Sequence, residues 1–235
     1  MSNRNAKRLL VTGFGPFAGV LENASGVLAA KVAGLARQRW PEAHIAAALL
    51  PTEWRRGPEA LGAVLDHHRP DVVLHLGISP RAQGLVVETL ARNRTKETVD
   101  AIGYKPVEDR LLPGGPAALR SAVAIGPILG RLWREGVPAR RSNDAGRFIC
   151  NAVYYHSLLV AGRSGARRQV VLVHLPAIVG SAGVLEDGKP RNQMAEGQAV
   201  AGLLHVMDMC LEETRAAGRT RAWQLQGEQW TSIGV

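Results

Sequence analysis

The chain has 235 residues, enough for one sizeable α/β domain around a single core, and no Ser/Gly-rich or charge-biased linker divides it. Two cysteines far apart in sequence, with no secretory signal and no long apolar run, argue against a disulfide scaffold or a bilayer span and point to a reducing compartment, the cytoplasm. The net charge of +9 is spread along the chain in small groups such as Arg55-Arg56, Arg140-Arg141 and Arg167-Arg168, without the interleaved aromatics of a nucleic-acid platform, so a solvated arginine-rich face explains it.

In chain order, a short polar opening leads into a strand at Arg8–Thr12, followed by a helix at Ser25–Arg39, a strand at His44–Leu50 and a helix at Glu53–His68. Strands follow at Val72–Leu76 and Leu85–Leu90, then helices at Ile125–Glu135 and Asn151–Ala161, a strand at Val170–Leu175 and a helix at Gln193–Ala217. Short apolar runs alternating with helical periods are the pattern of a sheet covered by helices on both faces. Pro41, Pro51, Pro70 and Pro138 fall at the boundaries, where a missing N–H does least harm. The polar stretch from Arg92 to Gly115 lacks a period and reads as a long loop, a lid or binding segment, with partial disorder as the competing reading. Residues 1–217 form the expected domain, and 218–235, with Trp223 and Trp230, a C-terminal tail.

Three residues could carry chemistry. Cys150 closes the run Ser142-Asn143-Asp144-Ala145-Gly146-Arg147-Phe148-Ile149-Cys150, where a glycine-containing turn delivers it to a helix start. Unpaired N–H groups there favour a thiolate and can hold an oxyanion. His174 stands near the carboxyl end of the strand Val-Val-Leu-Val-His-Leu, the edge at which α/β sheets place their sites. Glu88 interrupts the apolar Leu85-Val86-Val87, and a half-buried carboxylate calls for a partner; an imidazole N–H would serve. Each has a plainer reading, as a packing cysteine, a packed or surface histidine and an outward-facing edge carboxylate. Cys210, in a late apolar helix, reads as buried filling.

No set of His and Cys has metal-ligand spacing, so no cofactor is expected. Gly13-Phe14-Gly15-Pro16-Phe17-Ala18-Gly19 follows the first strand but lacks G-x-G-x-x-G, and Pro16 with two phenylalanines would crowd a pyrophosphate. Phe14 and Phe17 instead suit the walls of a small apolar slot, or a purely structural turn.

Three separated segments resemble the pyroglutamyl peptidase I family of cysteine peptidases, also called pyrrolidone-carboxylate peptidases, and the likeness spans most of the chain. Leu10 to Gly19 resembles the family's opening TGFxPFxG, with Asn23-Ala24-Ser25 similar to its Asn-Pro-Ser/Thr. Ser142 to Asn151 resembles S-x-x-A-G-x-[FY]-[ILV]-C-N, and Val173-His174-Leu175-Pro176 the histidine motif. Glu88 stands where the family's glutamate belongs, with Asn93 five residues on, and Gly114-Gly115-Pro116 resembles its Gly-Pro. The resemblance implies a nucleophile at Cys150, a general base and acid at His174, an orienting carboxylate at Glu88, and slot walls at Phe14 and Phe17. It implies an α/β fold, a single-domain three-layer sandwich with a mixed sheet and helices on both faces, purine nucleoside phosphorylase-like or hydrolase-like. The implied reaction is thiol hydrolysis of an N-terminal pyroglutamyl residue from peptides, by a homo-oligomer, tetrameric by family resemblance.

Two departures stand out. Gly77-Ile78-Ser79-Pro80-Arg81 places a proline in a turn that commonly holds Gly and Arg, and the segment after Asn93 lacks the family's Asp-Ala-Arg, leaving Arg94, Lys96 or backbone N–H groups at Cys150 to serve the oxyanion. The alternative is therefore a catalytically impaired protein that binds pyroglutamyl peptides on the same fold. A nucleoside phosphorylase-like activity rests on fold kinship alone.

Overall fold

Alternating apolar runs and helical periods resolve, in the computed structural model, into strands and helices covering residues 6–17, 22–163, 168–179 and 193–230, with side chains described as far as Glu213. The order is β1 (Arg8–Phe14), α1 (Ala24–Arg39), β2 (His44–Leu50), α2 (Arg56–His68), β3 (Val72–Ile78), β4 (Leu85–Glu88), β5 (Leu90–Arg92) and β6 (Ala118–Arg120). It continues with α3 (Ile125–Arg134), β7 (Ala139–Ser142), α4 (Ile149–Arg163), β8 (Gln169–Leu175), β9 (Ala177–Ile178), β10 (Gln193–Met194) and α5 (Glu196–Trp230).

Six strands form the central sheet in the order β2-β1-β3-β8-β4-β7, parallel except where β4 meets β8 antiparallel. Period-two alternation sorts each central strand between two cores. Leu9, Val11, Leu74, Leu76, Val171 and Val173 face one core with α1, α3 and α5, while Leu10, Phe14, Val73, Val170 and Leu172 face the other with α2 and α4. The result is the three-layer sandwich with a mixed sheet. Each fully buried Val or Leu contributes about 1.5–3 kcal/mol, so these near-continuous apolar strands drive the layering.

The expected strand at Leu85–Leu90 divides at Thr89. Its N–H donates to Ser142 O at 2.8 Å, its C=O accepts from Ser121 N at 3.0 Å, and Leu90–Arg92 leaves to pair with β6. The edge strand β7, Ala-Arg-Arg-Ser, carries no apolar alternation by which to recognise it; exposed charge on an edge deters pairing with another chain. α2 starts at Arg56 rather than Glu53, because Trp54 N is held by Asp100 Oδ2 at 3.0 Å outside the helix. The backbone of α5 runs on through 218–230, the greater part of the stretch read as a tail, while the side chains of Trp223 and Trp230 lie outside the described residues. Cys210 is fully buried in the α5 core, and burial pushes its thiol up to about 12. Among the described residues no helix is long and apolar enough to cross a membrane.

Candidate active site

The glycine-rich turn after β1 is built by close approach. A Cβ on Gly13 would lie 2.2 Å from Ser25 O, so the turn requires glycine for α1 to begin against it. Asn23 caps that helix, its Oδ1 accepting from Ser25 N at 3.1 Å, while its Nδ2 donates to Gly15 O at 3.1 Å. Thr52 Oγ1 also donates to Gly15 O, at 2.9 Å. The ring of Phe14 is buried in the α2/α4 core, Phe17 is half-buried, and Ala18 and Gly19 of the same motif lie outside the described residues. Phe148 and Cys150 pack at the margin of the cluster that contains Phe14.

A turn with Gly146 at φ 78° leads into α4, aided by Asp144, whose Oδ1 accepts from Gly146 N at 3.2 Å. Cys150 is the second residue of α4 and half-buried, where the first N–H groups of the helix lack intrahelical partners. Asn151, fully buried, grips the neighbouring strand: its Oδ1 accepts from Arg92 N at 2.8 Å, and its Nδ2 donates to Arg92 O at 2.8 Å and Arg94 O at 3.3 Å. Asn93 ties the long loop back in the same way, with Nδ2 donating to Leu112 O at 2.7 Å and Oδ1 accepting from Leu112 N at 2.8 Å. One turn beyond the cysteine, Tyr154 donates its hydroxyl to Glu88 O at 2.9 Å.

His174 is the last residue but one of β8, paired in register with Gly77 on β3 and Val86 on β4. Glu88, opposite Leu172, is its diagonal neighbour, a separation that long side chains bridge. Glu88 Oε1 lies 2.9 Å from His174 Nδ1, and both residues are buried. With Nδ1 so engaged, the Nε2 side of the ring faces the Cys150 thiol: one point above Gly77 lies 2.9 Å from Cys150 Sγ and 3.2 Å from His174 Nε2. Burial alone would lower the His174 pKa, but hydrogen bonds to Cys150 and Glu88, together with the charge of each, outweigh it and raise the value from 6.5 to about 9. The ring is thus held for protonation by groups on either side. Cysteine, imidazole and carboxylate come from α4, β8 and β4, and the fold brings all three sequence candidates together.

Arg94 carries no such engagement with the thiol: its guanidinium pairs with Asp109, and Lys96 is exposed. The start of α4, including the Cys150 N–H, offers donors next to the sulfur. The proline turn is accommodated, since Ser79 N donates to Leu175 O at 2.9 Å and Ala82 N to Ser79 O at 3.0 Å. Asn151 and Tyr154 were missed as functional supports; for Tyr154 the signal was its i+4 spacing from Cys150 on one helical face, and for Asn151 its place next to the cysteine in the motif. Among the described residues no group of three or more His, Cys, Asp or Glu could hold a metal ion.

Comparison with known proteins shows the family. The pyroglutamyl peptidase family model matches residues 7–213. A pyrrolidone-carboxylate peptidase of Gloeobacter violaceus is 32% identical over 210 residues, covering 89% of this chain and 97% of that protein. Pyrrolidone-carboxylate peptidase 1 of Ralstonia nicotianae is 32% identical over 214 residues with the same coverage. A mutant pyrrolidone carboxyl peptidase from Pyrococcus furiosus superposes with a TM-score of 0.80 at 27% identity, over 88% of this chain and 99% of that one. Pyroglutamyl peptidase I of Bacillus amyloliquefaciens gives 0.76 at 26% identity, over 85% and 94%.

Proposed function

The chain belongs to the pyroglutamyl peptidase family and is a cysteine-type hydrolase; from that premise we propose that Cys150, His174 and Glu88 cleave the N-terminal pyroglutamyl residue from peptides. The observation that carries the assignment of roles is the placement of His174 beside the Cys150 sulfur on one side and, at 2.9 Å, against Glu88 on the other. Cys150 Sγ attacks the pyroglutamyl carbonyl carbon, forming a C–S bond, and the carbonyl oxygen gains negative charge beside the N–H groups at the start of α4. As the C–N bond breaks, His174 Nε2 gives its proton to the leaving amine. Water then attacks the thioester, returning a proton to His174, and the C–S bond breaks to release 5-oxoproline and restore the sulfur. Glu88 keeps Nδ1–H aligned and stabilises the imidazolium throughout.

The lactam of the substrate is uncharged, so its recognition falls to a small slot with apolar walls, Phe14 and Phe17. The enzyme works in the cytoplasm as a homo-oligomer, a tetramer, on peptide substrates. The family match to residue 213 supports a domain over 1–217 with 218–235 as an appendage.

The test is release of a fluorogenic amine from a pyroglutamyl amide by reduced protein, beside Cys150→Ser and iodoacetamide-treated samples. Turnover abolished by both treatments supports the roles given. A folded, reduced protein that binds the substrate without releasing amine overturns them and leaves the pyroglutamyl-peptide-binding alternative.

A further inference from the structure

Glycine inside a buried strand is unfavourable unless the backbone or the space around it demands it. Gly77, the last residue but one of β3, is not among the residues with positive φ, so its conformation is open to any amino acid. Space is what it provides. A Cβ placed on Gly77 would stand 2.9 Å from Cys150 Sγ, 2.9 Å from His174 Cδ2 and 3.2 Å from His174 Nε2. The in-register pairing of Gly77 with His174 puts the missing side chain directly under the imidazole.

We propose that Gly77 is a positioning residue for the Cys150 and His174 pair, its bare backbone being the floor on which sulfur and imidazole meet. This rests on the roles given to those two residues above. Neither partner can yield without breaking the arrangement of the pair. The imidazole is buried and held by Glu88 at 2.9 Å, so retreat from a Gly77 side chain would break that contact. The sulfur sits on a helical turn fixed by Asn151 to Arg92 and by Tyr154 to Glu88 O. A methyl group at position 77 must therefore separate thiol from ring, or ring from carboxylate, by several tenths of an ångström. Displacements of this order at reacting atoms are costly, about 100-fold in rate for roughly 1 Å.

The test compares Gly77→Ala with wild type in three measurements. Expected are a kcat lowered about tenfold to 100-fold with little change in KM, an alkaline limb of kcat/KM moved down by at least half a unit on the order of a weakened imidazolium contact, and slower alkylation of Cys150 by iodoacetamide at neutral pH. The melting temperature is read in two backgrounds, wild type and Cys150→Ala/His174→Ala. Gly77→Ala lowers it in the first and less in the second, where the crowded atoms are gone. Unchanged kcat, pH limb and alkylation overturn the proposal. So does an equal loss of melting temperature, or failure to fold, in both backgrounds. A wild-type enzyme whose activity survives Cys150→Ser would instead sink the roles of Cys150 and His174, which separates the two failures.

Discussion

Glu88→Gln keeps the length and one acceptor oxygen of the side chain, so the His174 Nδ1–H retains a partner while the charge is lost. The rise of the His174 pKa from 6.5 to about 9 corresponds to about 3 kcal/mol of preference for the protonated ring, shared between Cys150 and Glu88. Losing the carboxylate removes one of the two groups that hold the ring protonated against burial, so the alkaline limb of kcat/KM moves down from about 9 toward the ordinary 6.5. Weaker orientation and a poorer acid lower kcat by about tenfold to 100-fold. Stability follows the same titration. A histidine with a raised folded pKa contributes stability that is complete below its unfolded value and lost as pH rises through the folded one. Hence Glu88→Gln is weakest relative to wild type near pH 6, and the two converge above about pH 9. Hydrolysis of a fluorogenic pyroglutamyl amide across about pH 6 to 10, with urea unfolding at the two ends, reads both effects. An alkaline limb that stays where wild type has it would refute the coupling of Glu88 to His174.

Phe17→Ala should raise KM more than it lowers kcat, since an apolar wall is worth about 1–3 kcal/mol of binding; an unchanged KM removes Phe17 from the slot. Asn151→Ala strands the Arg92 N–H and the Arg92 and Arg94 carbonyls, with a loss of about 2–4 kcal/mol in urea unfolding and faster amide exchange over residues 90–94; protection equal to wild type would contradict the clamp. His75, fully buried with Nδ1 2.7 Å from Thr12 Oγ1, is pushed by burial to about 3. It stays neutral in the folded state but takes a proton when unfolded below its ordinary 6.5, so stability falls with acid by up to about 5 kcal/mol between those values. His75→Gln should flatten this acid slope, and an equal slope in the variant would assign the acid sensitivity to other groups.

His75 also shows where sequence stops. Its strand, Val-Val-Leu-His-Leu, reads almost like the Val-Val-Leu-Val-His-Leu that bears His174, and both histidines project into the α2/α4 side of the sheet. Register separates them. His174 pairs with Gly77, while His75 pairs with Leu172 and Thr12, one side-chain row deeper, where burial without a charged partner keeps it neutral. Apolar period was enough to mark the five main strands and five helices, because a core on each side of the sheet demands it. It could not reveal the charged edge strand β7, the break at Thr89 or the start of α2, each fixed by a hydrogen bond to a distant segment. Cys150, His174 and Glu88 were legible as candidates because a helix start favours a thiolate, a strand end is where such sheets place their sites and a carboxylate among valines is costly; the family motifs around them implied their roles. Their meeting was decided by strand order, register and the seating of α4. β8 lies between β3 and β4, and that adjacency sets imidazole beside carboxylate across 86 residues of chain, while α4, tied to β4 and β5, sets the sulfur over a glycine 73 residues away.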